Sequence, residues 1–315
     1  MPSAAKRIWI DTDAACGASA TTDPDDCLAI LALAGWSDVA IAGLSSVSGN
    51  AELAITDRTA RELSNRIGKQ TGRVIPVHRG GQDAATALTG ALADGPLTIV
   101  ALGPLSNIAS ILERHPDLHA NVERIVVVMG RRPGHLFHPS EGNGGGMLLG
   151  HGPIFRDFNV AMDPDAVQAV LSANVPLVLV PYEAAREVEI DAADLRQISL
   201  AGPAGRWVAD RSVAWLGYWN EEIGRSGFYP FVLLAAAFAV APQRFDCAAV
   251  TAELGRDDTL SFPFSRTRAL LVETRVEDTT GETPGVLYCH GLRDASAGLY
   301  GLWPEARRLT ASQRK

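Results

Sequence analysis

The sequence predicts an α/β fold: a mostly parallel central sheet flanked by helices, with a Rossmann-like core. Short β-branched runs alternate with longer helical stretches, the pattern of βαβ units with right-handed crossovers. Several of the runs are apolar at nearly every position, as strands covered by helices on both faces require. Polar and Gly-rich stretches follow the strand candidates, where ligands collect in such sheets.

The first strand reads RIWID (7–11) and the first helix PDDCLAILALAG (24–35). Asp23 is expected to cap that helix, with Pro24 first and Asp25 and Asp26 in the opening turn, where the helix dipole favours negative charge. Strand VAIAGLSSV (39–47) runs into Ser48–Asn50 and helix 51–68; strand VIPVH (74–78) precedes helix 85–95. Strand LTIVALG (97–103) leads into GPLSNIASILERHP (103–116), and RIVVVMG (124–130) into the stretch Gly130–Asn159. That stretch is too long and too Gly-rich for a simple connector. Helix 163–175 and strand PLVLVPY (176–182) complete the regular part. Beyond about residue 190 come helices 202–224 and 231–241, then strand-like pieces 248–254, 268–276 and 285–292. No linker or repeat divides the chain, so a single domain, 1–315, is expected.

With 315 residues, 47% of them hydrophobic, the chain has material for a substantial core. A net charge of -8 and the absence of a Lys/Arg block argue against nucleic acid as a partner and for small molecules or metals. Cys16, Cys27, Cys247 and Cys289 show no C-x-x-C spacing, which suggests neither a zinc knuckle nor a disulfide framework and fits a reduced cytoplasm. The start enters a strand too early for a signal peptide's apolar core. FVLLAAAFAVA (231–241) falls short of the roughly 20 residues that span a bilayer. A soluble, cytoplasmic protein without membrane partners is expected.

Between Ile10 and Ile30, Asp11 and Asp13 end a strand and Asp23, Asp25 and Asp26 open a helix. Carboxylates so close repel unless protonated or bridged by a cation, and oxygen-only ligation suits a hard ion such as Ca²⁺ or Mg²⁺. The stretch alone would also fit a capped helix beside a solvated loop.

The motifs DTD…DPDDCLAI, SSVSGN, ALGPLSNIA, VVVMG and RDFNVAMDPDAV occur in an order and spacing that resemble the inosine-uridine preferring nucleoside hydrolase family, clearly over residues 7–182 and weakly beyond. The resemblance implies a nucleoside-hydrolase-like fold and an N-glycosyl hydrolase that cleaves a ribonucleoside or related ribosyl compound to ribose and free base. It implies a bound Ca²⁺ as cofactor and, by analogy, a homodimer or homotetramer. Asp13 would be metal ligand and general base for the attacking water, and Asp26 a metal ligand. The Leu102 carbonyl would reach the ion, and Asp11 would support this metal loop. Asp25, Asn50, Asp157 and Asn159 match ribose-binding positions, with Asp157 where Glu is usual. Such residues suit the chemistry, since carboxylates and amide oxygens stabilise an oxocarbenium-like ribosyl cation and a carboxylate accepts the water's proton.

Four departures stand out. The family pattern D-x-D-x-G-x-D-D sets three residues before the acid pair, whereas Ala14–Pro24 makes eleven here. The late H-D-P-L-A signature, source of a metal carboxylate and a leaving-group acid, aligns with Phe231–Ala235. The family's ribose-binding Asn falls at or near His151, and the segment between VIPVHRGG and LTIVALG is short and lacks a His-Gly lid motif. Weakened Ca²⁺ binding is the expected consequence, with His151 assigned to a catalytic acid or a sugar contact and His135 and His138 as further acid candidates. Trp207, Trp215, Tyr218 and Trp219 lie at helical spacing and read as core or subunit contacts, with Trp215 and Phe228 kept as candidate base contacts. A catalytically inactive ribosyl-binding paralogue is the alternative function.

Overall fold

The structure is a computed structural model and describes residues 5–131, 157–256, 270–276 and 285–298. The chain runs β1 (Lys6–Thr12), α1 (Asp25–Gly35), β2 (Val39–Ser46), α2 (Leu53–Thr71), β3 (Val77–His78), α3 (Gln82–Ala93), β4 (Leu97–Ala101), α4 (Ser106–Arg114) and β5 (Val122–Val127). It continues through α5 (Phe158–Met162), α6 (Pro164–Ser172), β6 (Leu177–Leu179), α7 (Tyr182–Ala185), α8 (Ala192–Leu200), α9 (Pro203–Tyr218) and α10 (Phe231–Val240). Strands β7 (Phe245–Arg256), β8 (Leu270–Val276) and β9 (Val286–Leu292) follow.

These strands form one nine-stranded sheet in the order β3-β2-β1-β4-β5-β6-β9-β7-β8. Strands β1 to β6 and β9 are parallel, and β7 and β8 form an antiparallel edge. Side chains alternate along β1: Ile8 and Ile10 enter the core beneath α1, α2 and α10, and Trp9 the core beneath α3, α4 and α6. Because β2 and β4 grow to opposite sides of β1, the carboxyl ends of β1 and β4 open at a topological switch point, where such sheets bind ligands. Asp13 follows β1 there, and Leu102 follows β4.

Helices α1 and α10 position the site from one face. Residues Asp25–Ala34 are all buried, as are Val232–Phe238, and the two helices pack together. A helix that is apolar all round must lie inside. Fully burying each of Leu28, Leu233 and Leu234 contributes about 1.5–3 kcal/mol.

The cysteines correct the sequence expectation: Cys16–Cys27 and Cys247–Cys289 are disulfides. Separations of 11 and 42 carry no motif; pairing arises because the fold lays the 14–22 segment on α1 and sets β7 beside β9. The argument from cysteine usage for a reduced cytoplasm falls with it. Among the described residues no helix is long and apolar enough to cross a membrane.

Candidate active site

At the switch point lies a cavity of about 360 Å³, a size that suits a small molecule. Asp25, Asp26, Asn50, Leu102, Asp157 and Asn159, all expected from sequence, line it together with Asp23. Asp11 and Asp13 do not line it; they lie beneath, 0% and 1% exposed. His151, His135 and His138 fall outside the described residues.

Strand β1 delivers Asp11 into a fixed polar cage. Its Oδ1 accepts from Ser45 Oγ and, at 2.9 Å, from Asn107 Nδ2, while Trp9 Nε1 donates to Ser45 Oγ at 2.8 Å. Its Oδ2 is buried and, among the described residues, has no hydrogen-bond partner. Burial pushes the Asp11 carboxyl up to about 7. The turn after β1 places Asp13 against the loop that follows β2. The Asn50 backbone N–H donates to Asp13 Oδ2 at 2.7 Å and Asn50 Nδ2 to Oδ1 at 3.3 Å. Two glycines permit this approach: a Cβ on Gly49 would stand 2.0 Å from Asp13 Oδ2, and one on Gly103 3.1 Å from Asp13 Cβ.

The start of α1 supplies the remaining acids. Asp23 Oδ1 accepts the Asp25 N–H at 3.0 Å, but the helix begins at Asp25 with Pro24 at its N-cap and no side-chain cap, so the expected cap by Asp23 with Pro24 as first helical residue is not formed. Asp25 Oδ2 accepts the Val232 N–H at 2.8 Å, tying this turn to the start of α10. Asp26 accepts from Thr12 Oγ1, and its charge repels that of Asp13. Burial raises all three, Asp23 to about 7, Asp26 to about 6 and Asp25 well above the usual range, where Asp23 and Asp26 add repulsion. Asp13 is raised well above it too, by burial first and then by Asp26.

From the far side, Asp157 precedes α5 and its Oδ2 accepts the Gly130 N–H at 2.8 Å. Burial lifts it to about 7. Asn159 Nδ2 donates to the Leu102 carbonyl at 3.0 Å, so the oxygen expected to face an ion is engaged by an amide.

Among the described residues no group of three or more His, Cys, Asp or Glu side chains is set out as a ready cation cage. Asp13, Asp25 and Asp26 crowd one another instead, and after burial their mutual repulsion helps hold the Asp13 carboxyl well above the usual range. A hard divalent cation would relieve the same repulsion, and the donors here, carboxyl and carbonyl oxygens, are those such an ion prefers. The chemistry of the donor set fits the ion.

The sequence pattern of the family described as inosine-uridine preferring nucleoside hydrolase matches residues 81–297. The chain belongs to that family. The 10–30 acid stretch lies outside the match, in keeping with its lengthened loop. A pyrimidine-specific ribonucleoside hydrolase RihA of Salmonella agona is 31% identical over 40% of this chain and 36% of its own length. Its namesake in Shewanella woodyi is 29% identical over 59% of this chain and 55% of its own. The chain thus spans about half or less of these relatives' length. The fold matches a plant nucleoside hydrolase, with a TM-score of 0.74 at 18% identity over 96% of this chain and 98% of the other. It also matches a purine-preferring ribonucleoside hydrolase from Gardnerella vaginalis, with a TM-score of 0.73 at 18% identity over 94% and 96%.

Other residues of the site departed from the sequence reading. Tyr182, Phe158 and Met129 line the cavity unannounced. Trp215 and Tyr218, both expected among the core or subunit aromatics, line it. Phe228, a candidate base contact, is 0% exposed in the core and does not line the cavity. Asn107 was legible only as part of the GPLSN turn; its support of Asp11 needed the fold.

Proposed function

We propose that this chain hydrolyses the N-glycosidic bond of a ribonucleoside or related riboside, releasing ribose and free base. One observation carries the reading: buried carboxyls, Asn50, Asp157 and Asn159 converge on one cavity at the switch point. Asp25, Asn50, Asp157 and Asn159 would hold ribose hydroxyls. Asp13 would accept the proton of the attacking water, oriented by Asn50, and the nearby carboxyls would stabilise the developing ribosyl cation. Asp13, Asp26 and the Leu102 carbonyl would hold a Ca²⁺, with Asp11 bracing the loop from below. Such an ion supplies charge that makes water easier to deprotonate and orients hydroxyls. His151 is assigned, on chain position alone, to a ribose hydroxyl. One domain over 1–315 and a homodimer or homotetramer complete the proposal, the latter by analogy.

A second reading, a ribosyl-ligand binder without turnover, draws on Asp13 lying beneath the cavity wall and on Asn159 occupying the Leu102 carbonyl. Reducing-sugar release over a panel of ribosides, with Ca²⁺ and with chelator, separates the two: sustained release supports the hydrolase, and binding without release supports the second reading.

A further inference from the structure

The cavity joins acids to a wall of aromatic rings. Phe231 opens α10 where the resemblance would place an imidazole, and it stacks on Tyr182 with centroids 6.1 Å apart at 26°. Trp215 and Tyr218 stack at 5.2 Å and 18°. All four rings line the cavity that Asp23, Asp25, Asp26 and Asp157 also line. The bond from the Val232 N–H to Asp25 holds the Phe231 turn against the carboxyls. Among the described residues no His, Lys or Arg lines the cavity. Aromatic rings beside carboxyls suit a positively charged ring through cation–π attraction.

Resting on the riboside-hydrolysis reading, we propose that the leaving group is a cationic, N-linked heteroaromatic ring: an N-ribosylpyridinium or an N7-alkylated purine riboside. A neutral base departs as an anion unless a general acid protonates it, help that is worth on the order of 10²- to 10⁴-fold. A cationic ring needs no such proton. Its C1′–N bond breaks with both electrons passing to the ring nitrogen, which quenches the charge. Water then bonds to C1′ and yields a proton to a carboxylate and thence to solvent. The products are ribose, a neutral heteroaromatic and H⁺.

The test compares 7-methylinosine with inosine, and N-ribosylpyridinium with uridine, on the full chain with Ca²⁺, each kcat/KM divided by the substrate's spontaneous rate. The cationic member of each pair should be preferred by at least about tenfold. Tyr218→Leu should raise the KM for 7-methylinosine about 3- to 30-fold more than that for inosine, the range of a cation–π contact. Wild-type protein should bind 1-methylnicotinamide, a competitive probe that needs no variant, several-fold more tightly than nicotinamide. Equal corrected rates within each pair, equal KM changes, or equal inhibition by the two nicotinamides would overturn the proposal and leave riboside hydrolysis standing. Failure to hydrolyse any riboside removes both.

Discussion

Gly49 has no room for a side chain. Its Cβ would lie 2.0 Å from Asp13 Oδ2 and 2.9 Å from Asp13 Cγ, while Gly103 closes the other side of Asp13. Gly49→Ala must therefore displace the proposed base, and a misplacement near 1 Å costs on the order of 10²-fold in rate. Riboside hydrolysis by the variant should fall by about that factor while it remains folded; full activity would separate Asp13 from catalysis. Asp157 predicts a pH dependence. Its carboxyl is raised from 3.8 to about 7 in the folded chain, so between these values the native state holds a proton the unfolded state has lost. Its stabilising contribution is complete below about pH 4 and is lost as pH rises through 7, at up to about 1.4 kcal/mol per unit. Asp157→Asn cannot ionise, so urea denaturation from pH 5 to 8 should show a shallower decline than wild type. Identical slopes would mean that Asp157 is ionised throughout. At this scale Asp25, Asp26, Asn50, Asp157 and Asn159 were legible because short motifs carry them. The aromatic wall was not, since Tyr182 and Phe231 meet across elements far apart in the chain.

The segment from Ala14 to Thr22 is held at Cys16 to Cys27 of α1, and its Thr21 reaches the cavity. Closing a loop of this length contributes about 2–4 kcal/mol. Cys16→Ser, or reduction of the wild type, should lower the melting temperature by several degrees; a melting temperature indifferent to reductant would show that the bridge does not constrain the fold. For α10, Leu234→Ala should cost about 2–5 kcal/mol in denaturant unfolding. Val213→Ala, on the exposed face of α9 at 59% exposure, should stay within about 0.5 kcal/mol. Comparable losses at both sites would contradict the burial of α10. Continuous apolar runs, rather than a period, made α10 and the first strands readable. Pattern alone overshot β6, expected over 176–182 and bracketed by Pro176 and Pro181 to Leu177–Leu179, because proline removes a ladder donor. It also missed α8, whose nine residues open on a capping box of Asp191 and Asp194 rather than the Ser/Thr with Glu/Gln form.

For the whole molecule, alternating strands and helices with right-handed crossovers sufficed to foresee a site at the carboxyl ends of the strands, and the strand order adds the switch point. The insertion of β9 between β6 and β7 depends on pairings remote in sequence, and no local pattern announces them. The Cys247–Cys289 pair shares that origin. In the proposed function, carboxyls buried at the switch point hold a cation and, with it, hydrolyse a riboside. The most direct measurement follows ribose release from the riboside panel by wild type and Asp26→Ala, in Ca²⁺ and after chelation, with the melting temperature read in parallel. The account predicts release by wild type in Ca²⁺ together with a Ca²⁺-dependent rise in melting temperature, both lost on chelation and both absent from Asp26→Ala. Undiminished release by chelated wild type, or by Asp26→Ala, would contradict it.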